Sequence, residues 1–442
     1  MEKVLFRHTI YFIGILGSSM SGLAELARYM GAVVYGSDTC YSDKLLYLKK
    51  LGIKVTVGKD FDSLSKSDLV VYTSAIKSFD EELVFARSRG IPCVERSRFL
   101  GEISSFFDNV IAVSGTHGKT TVTAMLKDIF TACNINPTVH AGGDFVDMDS
   151  GVLCGDKRLF ITEACEYRES FCELRPDTEI ILNIESDHPD YYKSMNELNH
   201  AFQKFADKLK VNGHIILPPS VDIKCKNEII IGRDVYAENV RTENGENVYD
   251  IKVKGKLYAK DFKLKVVGAH NVYNSLFSIA VADLYGLDRE KVLDALSNFK
   301  GVKRRFYQMK EVNGVKIICD YAHHPTQIKA TLSAAKQIIK GKIFVYFQPH
   351  TYSRTAKLID EFCSALSGFE NLIIIKEYPA RETEEMGKSA YDLFRKLQDN
   401  GIKCRYSELN KNAADIVKSK MFKGDAVLLL GAGDIVKLCE YF

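Results

Sequence analysis

The chain has 442 residues, a length typical of about three domains, each large enough for its own hydrophobic core. Its 60 basic and 57 acidic residues nearly balance and form no Lys/Arg-rich block, so no nucleic-acid-binding surface is indicated. The apolar opening Thr9–Leu16 is too short for a signal peptide, and no run of about 18 apolar residues occurs, so we expect a cytoplasmic protein without membrane insertion.

The first block extends to residue 107 and alternates apolar, β-rich runs with helical patterns. This alternation continues through the chain and predicts an α/β fold with mostly parallel sheets. The block is expected to be Rossmann-like, with the predicted elements strand Tyr11–Ile15, helix Gly22–Met30, strand Val33–Gly36, helix Asp43–Leu51, strand Leu69–Tyr72 and helix Glu81–Arg89.

The second block covers residues 108–300 and opens with the apolar strand Val110–Val113. It contains the predicted strands Leu159–Thr162 and Glu179–Asn183 and the helix Asn274–Leu284. Between them lies a polar segment, Lys224–Lys265, in which the Asn-Gly pair within Glu243–Gly245 predicts a β-hairpin turn.

The third block covers residues 301–442 and is predicted to be a second Rossmann-like unit. Its predicted elements are Val315–Cys319, Ile328–Ile339, Lys342–Phe347, Ala356–Leu366, Leu372–Ile375, Ser389–Leu397 and Ala426–Leu430. The eleven cysteines are scattered along all three blocks, without a C-x-x-C pair, and are expected to be reduced, mostly buried thiols.

The most informative segment is Ser114–Thr121, with the sequence Ser-Gly-Thr-His-Gly-Lys-Thr-Thr. It joins a predicted strand to a predicted helix, whose first N–H groups and positive dipole end favour a phosphate. Lys119 can reach terminal phosphates, and Thr120 stands where P-loops place the hydroxyl that holds Mg²⁺. Only two residues separate Gly115 from Gly118, where the general P-loop has four. The alternative is a plain glycine turn with an incidental lysine.

A second glycine-rich turn, Gly14–Gly22, joins the first strand to the first helix, and Asp38 follows the second strand. Such a turn can hold a diphosphate, with the acid near a ribose. Ser19 stands where a second close-approach glycine would help, and the spacing departs from G-x-G-x-x-G. The turn is therefore a weak nicotinamide signature and a better site for another diphosphate.

Acidic and histidine residues follow two further strands of the second block. Glu163 and Glu166 follow Leu159–Thr162, and Asp187 and His188 follow Glu179–Asn183. Ligands gather at the carboxyl ends of parallel strands, and a carboxylate, a hydroxyl and an imidazole near nucleotide phosphates can form a Mg²⁺ site. The alternative is that the glutamates are solvated loop acids.

Four further motifs have both a structural and a functional interpretation. His270-Asn271-x-x-Asn274 precedes an apolar helix and can be a helix cap. Lys303–Phe306 can be a surface charge run or, through arginine, a phosphate contact. Asp320–Pro325 and His350–Arg354 each end a predicted strand, where ligand contact is expected, and the adjacent histidines do not favour zinc.

Taken in chain order, these motifs resemble the Mur ligase family of ATP-dependent amide-bond ligases, which act in peptidoglycan precursor synthesis. The resemblance rests on Gly14–Gly22, Gly115–Thr121, Glu163–Glu166, Asn183–His188, His270–Asn274, Arg305-Phe306, Asp320–Pro325, Phe347–His350 and Leu430–Asp434. It implies a Rossmann-like UDP-sugar domain, a central P-loop-type ATPase domain and a Rossmann-like C-terminal amino-acid domain, here 1–107, 108–300 and 301–442. The implied substrates are UDP-N-acetylmuramate, L-alanine and ATP with Mg²⁺, joined through an acyl phosphate.

The resemblance also implies roles for individual residues. Those implied in catalysis are Lys119, Glu163, His188, Arg305 and Asp320, and those at Mg²⁺ are Thr120, Glu163 and His188. Those implied at ATP are Gly115, Thr116, His117, Gly118, Lys119, Thr120, Thr121, His270, Asn271, Asn274, Arg305 and Asp320. Those implied at the UDP sugar are Gly17, Ser18, Ser19, Met20, Ser21, Ser37, Asp38 and Ser74, and those at the amino acid are His323 and Arg354.

Besides Ser19 in the first glycine turn, two positions depart from the family pattern. Thr351 stands where many of these ligases carry a second arginine, and the position of a carbamylated lysine in some of them falls near Gln203, one residue before Lys204. Three alternatives remain: a family member that attaches a recovered murein peptide, a nicotinamide-dependent oxidoreductase, and a catalytically silent paralogue. The expected assembly is a monomer or a weak homodimer.

Overall fold

The computed structural model describes residues 8–188, 190–380 and 382–442. They form two compact units. The first contains the described residues up to Ile184, with Leu198–Asp234 and Phe277–Ala295, and the second contains Glu185–Glu197, Val235–Leu276 and Leu296–Phe442. None of the described helices is long and apolar enough to cross a membrane.

The N-terminal part of the first unit is a five-stranded parallel sheet in the order β3-β2-β1-β4-β5. Apolar side chains such as Tyr11, Phe12 and Val70 are fully buried because helices cover both faces of such a sheet. The strands are β1 Thr9–Ile13, β2 Val33–Asp38, β3 Lys54–Val57, β4 Leu69–Tyr72 and β5 Cys93–Glu95, and the helices are α1 Ser18–Tyr29, α2 Lys44–Lys50, α3 Phe61–Leu64, α4 Glu81–Ser88 and α5 Arg96–Ser104.

The first unit also contains a seven-stranded sheet in the order β12-β11-β10-β6-β9-β7-β8, parallel except for the pairing of β7 with β8. Its strands are β6 Asn109–Ser114, β7 Thr138–His140, β8 Val152–Leu153, β9 Leu159–Glu163, β10 Thr178–Ile181, β11 His214–Leu217 and β12 Glu228–Ile230. Helices α6 Lys119–Ala132 and α7 Met195–Ala206 and a 3-10 helix, Tyr167–Glu173, belong to the same part of the sequence.

The polar segment of the second block is a three-stranded antiparallel sheet of β13 Val235–Glu243, β14 Glu246–Val253 and β15 Lys256–Leu264. Asn244 and Gly245 connect the first two strands with φ values of 51° and 85°. Positive φ at both central residues is the mark of a type I′ hairpin, so the predicted turn is confirmed. Helices α8 Ala269–Leu284 and α9 Arg289–Ser297 follow in the chain.

The C-terminal sheet has the order β16-β17-β21-β18-β19-β20, with β16 antiparallel at one edge. Its buried apolar strands pack against helices on both faces. The strands are β16 Tyr307–Val312, β17 Val315–Asp320, β18 Ile343–Phe347, β19 Asn371–Ile375, β20 Cys404–Ser407 and β21 Ala426–Leu430, and the helices are α10 Pro325–Ile338, α11 Tyr352–Lys357, α12 Ile359–Leu366, α13 Ala390–Asp399 and α14 Lys411–Lys418. Short 3-10 helices lie at Glu384–Met386 and Ile435–Tyr441.

The predicted α/β class with parallel sheets is confirmed, but several details of the prediction are wrong. The predicted strand Tyr11–Ile15 is β1, Thr9–Ile13, and the predicted helix Gly22–Met30 is α1, Ser18–Tyr29. The expected helix Ala356–Leu366 is two helices, α11 and α12, that meet at Leu358. All eleven cysteines are free thiols, as expected, but only three are buried; Cys40 is exposed and the other seven are half-buried.

Candidate functional site

The turn between β6 and α6 has the backbone of a phosphate-binding loop. Gly115 and Gly118 have φ values of 124° and 90°, in a region that side chains other than glycine rarely adopt. A Cβ at Gly115 would lie only 3.0 Å from the Leu182 backbone nitrogen. Thr116, His117, Lys119, Thr120 and Thr121 therefore lie on or directly after a loop whose two glycines place the helix start at the carboxyl end of β6.

Asn183 holds this loop in place from the end of the neighbouring strand. Its carbonyl accepts the Thr116 N–H (3.1 Å), its side-chain oxygen accepts the His117 N–H (2.9 Å), and its amide donates to the His117 carbonyl (3.1 Å). These three bonds fix the loop before any ligand arrives. Asn183 belongs to the motif quoted for the resemblance, but the sequence alone gave it no role.

Lys119 forms a buried ion pair with Glu166. Its Nζ lies 2.8 Å from Glu166 Oε2 and also donates to the Gly115 carbonyl at 2.5 Å. Glu166 is only 2% exposed, so it is not a solvated loop acid. Burial is the largest single effect and lowers the pKa of Lys119, but the charge and hydrogen bond of Glu166, with smaller effects of neighbouring groups, together raise this pKa above its ordinary value. The ammonium group is therefore charged and oriented at the phosphate loop.

Glu163 and Thr120 flank the same Gly142-Gly143 dipeptide. Glu163 is the last residue of β9, in register with Val113, and its Oε1 accepts the Gly142 N–H at 2.8 Å. A Cβ at Gly143 would lie 3.3 Å from Thr120 Cγ2. The structure thus brings the Glu163 carboxylate and the Thr120 side chain to one end of the seven-stranded sheet, next to the phosphate loop.

The N-terminal glycine turn is held by the last two residues of β2, Ser37 and Asp38. The N–H groups of Gly14 and Ile15 donate to the Ser37 carbonyl, and the Leu16 N–H donates to Asp38 Oδ2 at 2.8 Å. The Ser37 hydroxyl is buried and donates to Glu82 at 2.7 Å. Ser37 and one oxygen of Asp38 therefore shape the turn itself.

The other predicted UDP-sugar residues lie at the start of α1 or close to it. Gly17 is the N-cap, and its extended backbone leads into a first turn made of Ser18, Ser19, Met20 and Ser21. Ser21 is buried, and its hydroxyl donates to the Ser18 carbonyl. Ser74 is half-buried in the turn that follows β4.

In the second unit, Arg354 is buried and bound to an aspartate. Its Nη2 and Nε lie 2.7 and 3.2 Å from Asp187 Oδ1, and its Nη1 also donates to the His350 carbonyl. Burial is the largest single effect and raises the pKa of Asp187, but the Arg354 guanidinium, with smaller effects of His188 and His323, holds this pKa well below its usual range. The side chain predicted to bind an amino-acid carboxylate thus already binds a carboxylate of this chain.

His323 lies in the same cluster as Arg354. Its ring is 5.8 Å from the His350 ring, and its Nδ1 bonds to the Tyr321 carbonyl. Burial, with the charge of Arg354, lowers the pKa of His323 well below its usual value, so the imidazole is neutral. Thr351 has a φ of 68°, which is strained for a β-branched residue and is typical of functional segments.

Asp320 organises the turn that carries Arg305. Its carboxylate accepts the N–H groups of Phe306 and Ala322 and the Thr331 hydroxyl, at 3.2, 2.8 and 3.0 Å. Burial raises its pKa against the opposing charge of Arg305. The Arg305 guanidinium lies over the Tyr321 ring at 4.8 Å, so the two predicted ATP residues of the third block are neighbours.

The His270-Asn271-x-x-Asn274 motif lies inside α8. Because the helix begins at Ala269, neither asparagine is its N-cap, and the helix-cap interpretation is wrong. Asn271 donates to the Val267 carbonyl, and Asn274 donates to Asn271 Oδ1. His270 itself is exposed in the first turn of this helix.

The predicted site residues divide between the two units. The phosphate loop, Glu163 and the UDP-sugar residues belong to the first, and His188, with a φ of 54°, belongs to the second with His270, Arg305, Asp320, His323 and Arg354. In some family members a carbamylated lysine lies at the position that falls near Gln203. Here the Gln203 amide donates to Asp207, and Lys204 forms an ion pair with Glu169.

Three family models match this chain, one after another from the N-terminal to the C-terminal part. Residues 9–108 match the model described as Mur ligase family, catalytic domain; residues 113–282 match the Mur ligase middle domain; residues 304–433 match the Mur ligase, glutamate ligase domain. Two relatives named UDP-N-acetylmuramate--L-alanine ligase, from Agathobacter rectalis and Clostridium novyi, are each 38% identical over 98% of this chain and 96% of their own.

Two solved structures are similar over nearly the whole chain. The UDP-N-acetylmuramate-alanine ligase of Thermotoga maritima has a TM-score of 0.84 and 28% identity, covering 98% of both chains. The murein peptide ligase of Psychrobacter arcticus has a TM-score of 0.74 and 23% identity, covering 98% of this chain and 97% of its own, which is a likeness of fold alone.

Proposed function

Because this chain belongs to the Mur ligase family, we propose that it joins L-alanine to UDP-N-acetylmuramate in an ATP-dependent, ADP-forming reaction. The observation that carries the proposal is the 38% identity, over 98% of the chain, to relatives named for that reaction. The site is consistent with it, since a preformed phosphate loop with a charged lysine suits phosphoryl transfer. This reaction is a step in making the precursor of peptidoglycan.

The reaction proceeds in two bond exchanges. A carboxylate oxygen of the muramyl lactyl group attacks the γ-phosphorus of ATP, and the bond from that phosphorus to the bridging oxygen of ADP breaks, which yields an acyl phosphate. The amine nitrogen of L-alanine then attacks the acyl carbon, loses a proton, and the carbon–oxygen bond to phosphate breaks. The products are the amide, ADP and phosphate.

The first unit supplies the residues for phosphoryl transfer. We assign the loop Gly115–Thr121 to the ATP phosphates and the Lys119 ammonium to the charge that develops on the transferred group. Support comes from the Lys119–Glu166 distance of 2.8 Å, which preorients the cation. Glu166 acts through Lys119 and is a positioning residue.

The oxygen donors beside the phosphate loop fit Mg²⁺. A hydroxyl and a carboxylate are hard ligands, and Mg²⁺ takes few protein ligands beside water and phosphate oxygens. We assign Thr120 and Glu163 to this ion because both flank Gly142-Gly143. An ion held there would neutralise phosphate charge. His188 is the third residue that the family resemblance assigns to it.

The second unit supplies the assigned amino-acid residues, His323 and Arg354. We propose that the carboxylate of L-alanine competes with Asp187 for the Arg354 guanidinium, since Arg354 binds carboxylates through a planar fork of donors. We retain Arg305, Asp320, His270, Asn271 and Asn274 as ATP contacts. The corresponding domains are 1–107 for the UDP sugar, 108–300 for ATP and 301–442 for the amino acid.

Phosphate release from ATP in the presence of UDP-N-acetylmuramate tests the proposal directly. We expect release with L-alanine, weaker release with glycine and L-serine because one small group changes binding by only about 1–3 kcal/mol, and none with a tripeptide that begins with L-alanine. Phosphate release only with the peptide contradicts the proposal. Light scattering of the same preparation tests the expected monomer or weak homodimer.

A further inference from the structure

Arg96 is a half-buried cation that contacts the predicted UDP-sugar turn. It is the first residue of α5, directly after β5, and its Nη1 lies 3.1 Å from the Ser19 hydroxyl oxygen. The guanidinium is half-buried and forms no ion pair with any acidic residue that the structure describes. Arg98, two residues later, pairs with Glu102 on the same helix.

The group that Arg96 contacts lies in the first turn of a helix whose amide groups are uncapped. Helix α1 has twelve residues, its N-cap Gly17 offers no side chain, and its first turn carries no acidic residue. The first N–H groups of such a helix and its positive dipole end attract an anion. The guanidinium adds a full charge and a fork of donors at the same place.

A buried histidine faces the same turns of α1. His140 is 2% exposed, and its Nε2 has no hydrogen-bond partner among the described residues. A Cβ at Gly22 would lie 3.3 Å from that nitrogen, so the ring packs directly on the helix. Burial, with the charge of Arg96, lowers the pKa of His140 to about 4. The imidazole is therefore neutral, and the Ser19 backbone also acts on its pKa, so the ring lies at the turn of α1 that Arg96 contacts.

We propose that Arg96 binds an acidic oxygen group of the sugar nucleotide, and that Ser19 positions Arg96 for this contact. The inference rests on the proposed function, which supplies the sugar nucleotide. Two groups of that substrate share the required chemistry: the diphosphate and the lactyl carboxylate. A glycine at position 19 lacks the hydroxyl, so the serine that departs from the glycine pattern has a role in holding the guanidinium.

Calorimetric titration distinguishes the two groups. The probes are UDP-N-acetylmuramate, which has both groups, and UDP-N-acetylglucosamine, which lacks the carboxylate. We expect Arg96→Ala to weaken binding of UDP-N-acetylmuramate about tenfold or more, since a charge-assisted hydrogen bond is lost. An equal loss with UDP-N-acetylglucosamine identifies the diphosphate, and a loss confined to UDP-N-acetylmuramate identifies the carboxylate.

Three further variants separate binding from folding. Arg98→Ala is the matched control on the same helix and is expected to leave both affinities within about twofold, because an exposed pair contributes little. Arg96→Lys retains the positive charge without the planar set of N–H donors, and it is expected to lose less affinity than Arg96→Ala. Ser19→Ala is expected to weaken binding less than Arg96→Ala. The affinity of Arg96→Ala is expected to depend less on salt concentration than that of the wild type.

The outcomes also separate this inference from the proposed function. If the wild-type chain binds UDP-N-acetylmuramate and Arg96→Ala and Arg96→Lys, both folded by thermal melting, bind it within about twofold of wild type, the inference is wrong and the function stands. If the wild-type chain does not bind UDP-N-acetylmuramate, both are wrong.

Discussion

Lys119 and Glu166 form a 2.8 Å ion pair at the phosphate loop, although 46 residues lie between them in the chain. The pair is almost closed to solvent, with side-chain exposures of 16% and 2%. A buried charge is costly without a partner, so the Glu166 carboxylate keeps the Lys119 ammonium ionised. Lys119 is thereby preoriented, which is the property that phosphoryl transfer requires.

We therefore expect Lys119→Ala to abolish ligation and to leave UDP-sugar affinity nearly unchanged. Loss of a cation aimed at the transferred group costs on the order of 3 kcal/mol or more of transition-state stabilisation. Turnover and UDP-N-acetylmuramate affinity are measured together.

Lys119→Ala leaves Glu166 buried without its partner, so the double variant Lys119→Met/Glu166→Gln separates catalysis from folding. Lys127→Ala, on the same helix, is the matched control. If either folded Lys119 variant retains more than about a tenth of wild-type turnover, Lys119 has no catalytic role.

The two glutamates after β9 are expected to differ in their effect on Mg²⁺. Glu163→Ala raises the Mg²⁺ concentration needed for half-maximal activity strongly, because it removes a ligand from a site rich in water. Glu166→Ala raises it less and lowers turnover through Lys119 instead. A Mg²⁺ titration of both variants measures the difference, and the reverse order of severity contradicts the assignment of Glu163.

Substitutions of Arg354 and Asp187 are expected to change the KM for L-alanine in opposite directions. Arg354→Ala raises the KM for L-alanine far more than the KM for ATP. Asp187→Asn lowers the KM for L-alanine, because it removes the carboxylate that competes for the guanidinium.

Removal of one partner from this buried pair also destabilises the fold by about 3–5 kcal/mol, so both variants are assayed at a temperature where they are folded. Tyr378→Phe, beside the His350 ring, is the control for the cluster. An unchanged or raised KM for L-alanine in Asp187→Asn rules out the competition.

Glu179 predicts a dependence of stability on pH. This residue of β10 is completely buried, and neither carboxyl oxygen has a hydrogen-bond partner among the described residues. Burial, with the charge of Asp207, raises its pKa well above the ordinary value. The native state thus holds a proton that the unfolded chain releases above about pH 4.3, so this group destabilises the fold increasingly as pH rises.

Glu179→Gln removes this pH-dependent destabilisation and is expected to raise the free energy of unfolding more at pH 8 than at pH 5. Urea denaturation at the two pH values measures the free energy of unfolding. Glu173→Gln, at an exposed position, is expected to show no such difference. Equal effects of Glu179→Gln at both pH values contradict the account of this residue.

The sequence predicts continuously apolar strands best. The bounds of Leu69–Tyr72 and Ala426–Leu430 agree with the structure because both are continuous apolar runs buried in parallel sheets. Strand β5 has three residues and gives no periodic signal, so it and the helix that begins at Arg96 were not predicted. Arg96 was missed for this reason.

Features formed by residues that are adjacent in the sequence were also predictable. The phosphate loop and the hairpin at Asn244-Gly245 follow from glycine positions. The pairs Lys119–Glu166 and Arg354–Asp187 depend on tertiary packing between distant segments, which no spacing rule encodes. The individual acids were visible in the sequence, but their partners were not.

The central claim is tested most directly by the mass of the UDP product in a competition experiment. UDP-N-acetylmuramate and ATP with Mg²⁺ are incubated with equal concentrations of L-alanine and of an L-alanyl-γ-D-glutamyl peptide. The account predicts that the product carries a single L-alanine residue. Preferential formation of the peptide-bearing product would contradict it and identify the chain as a ligase for recovered murein peptide.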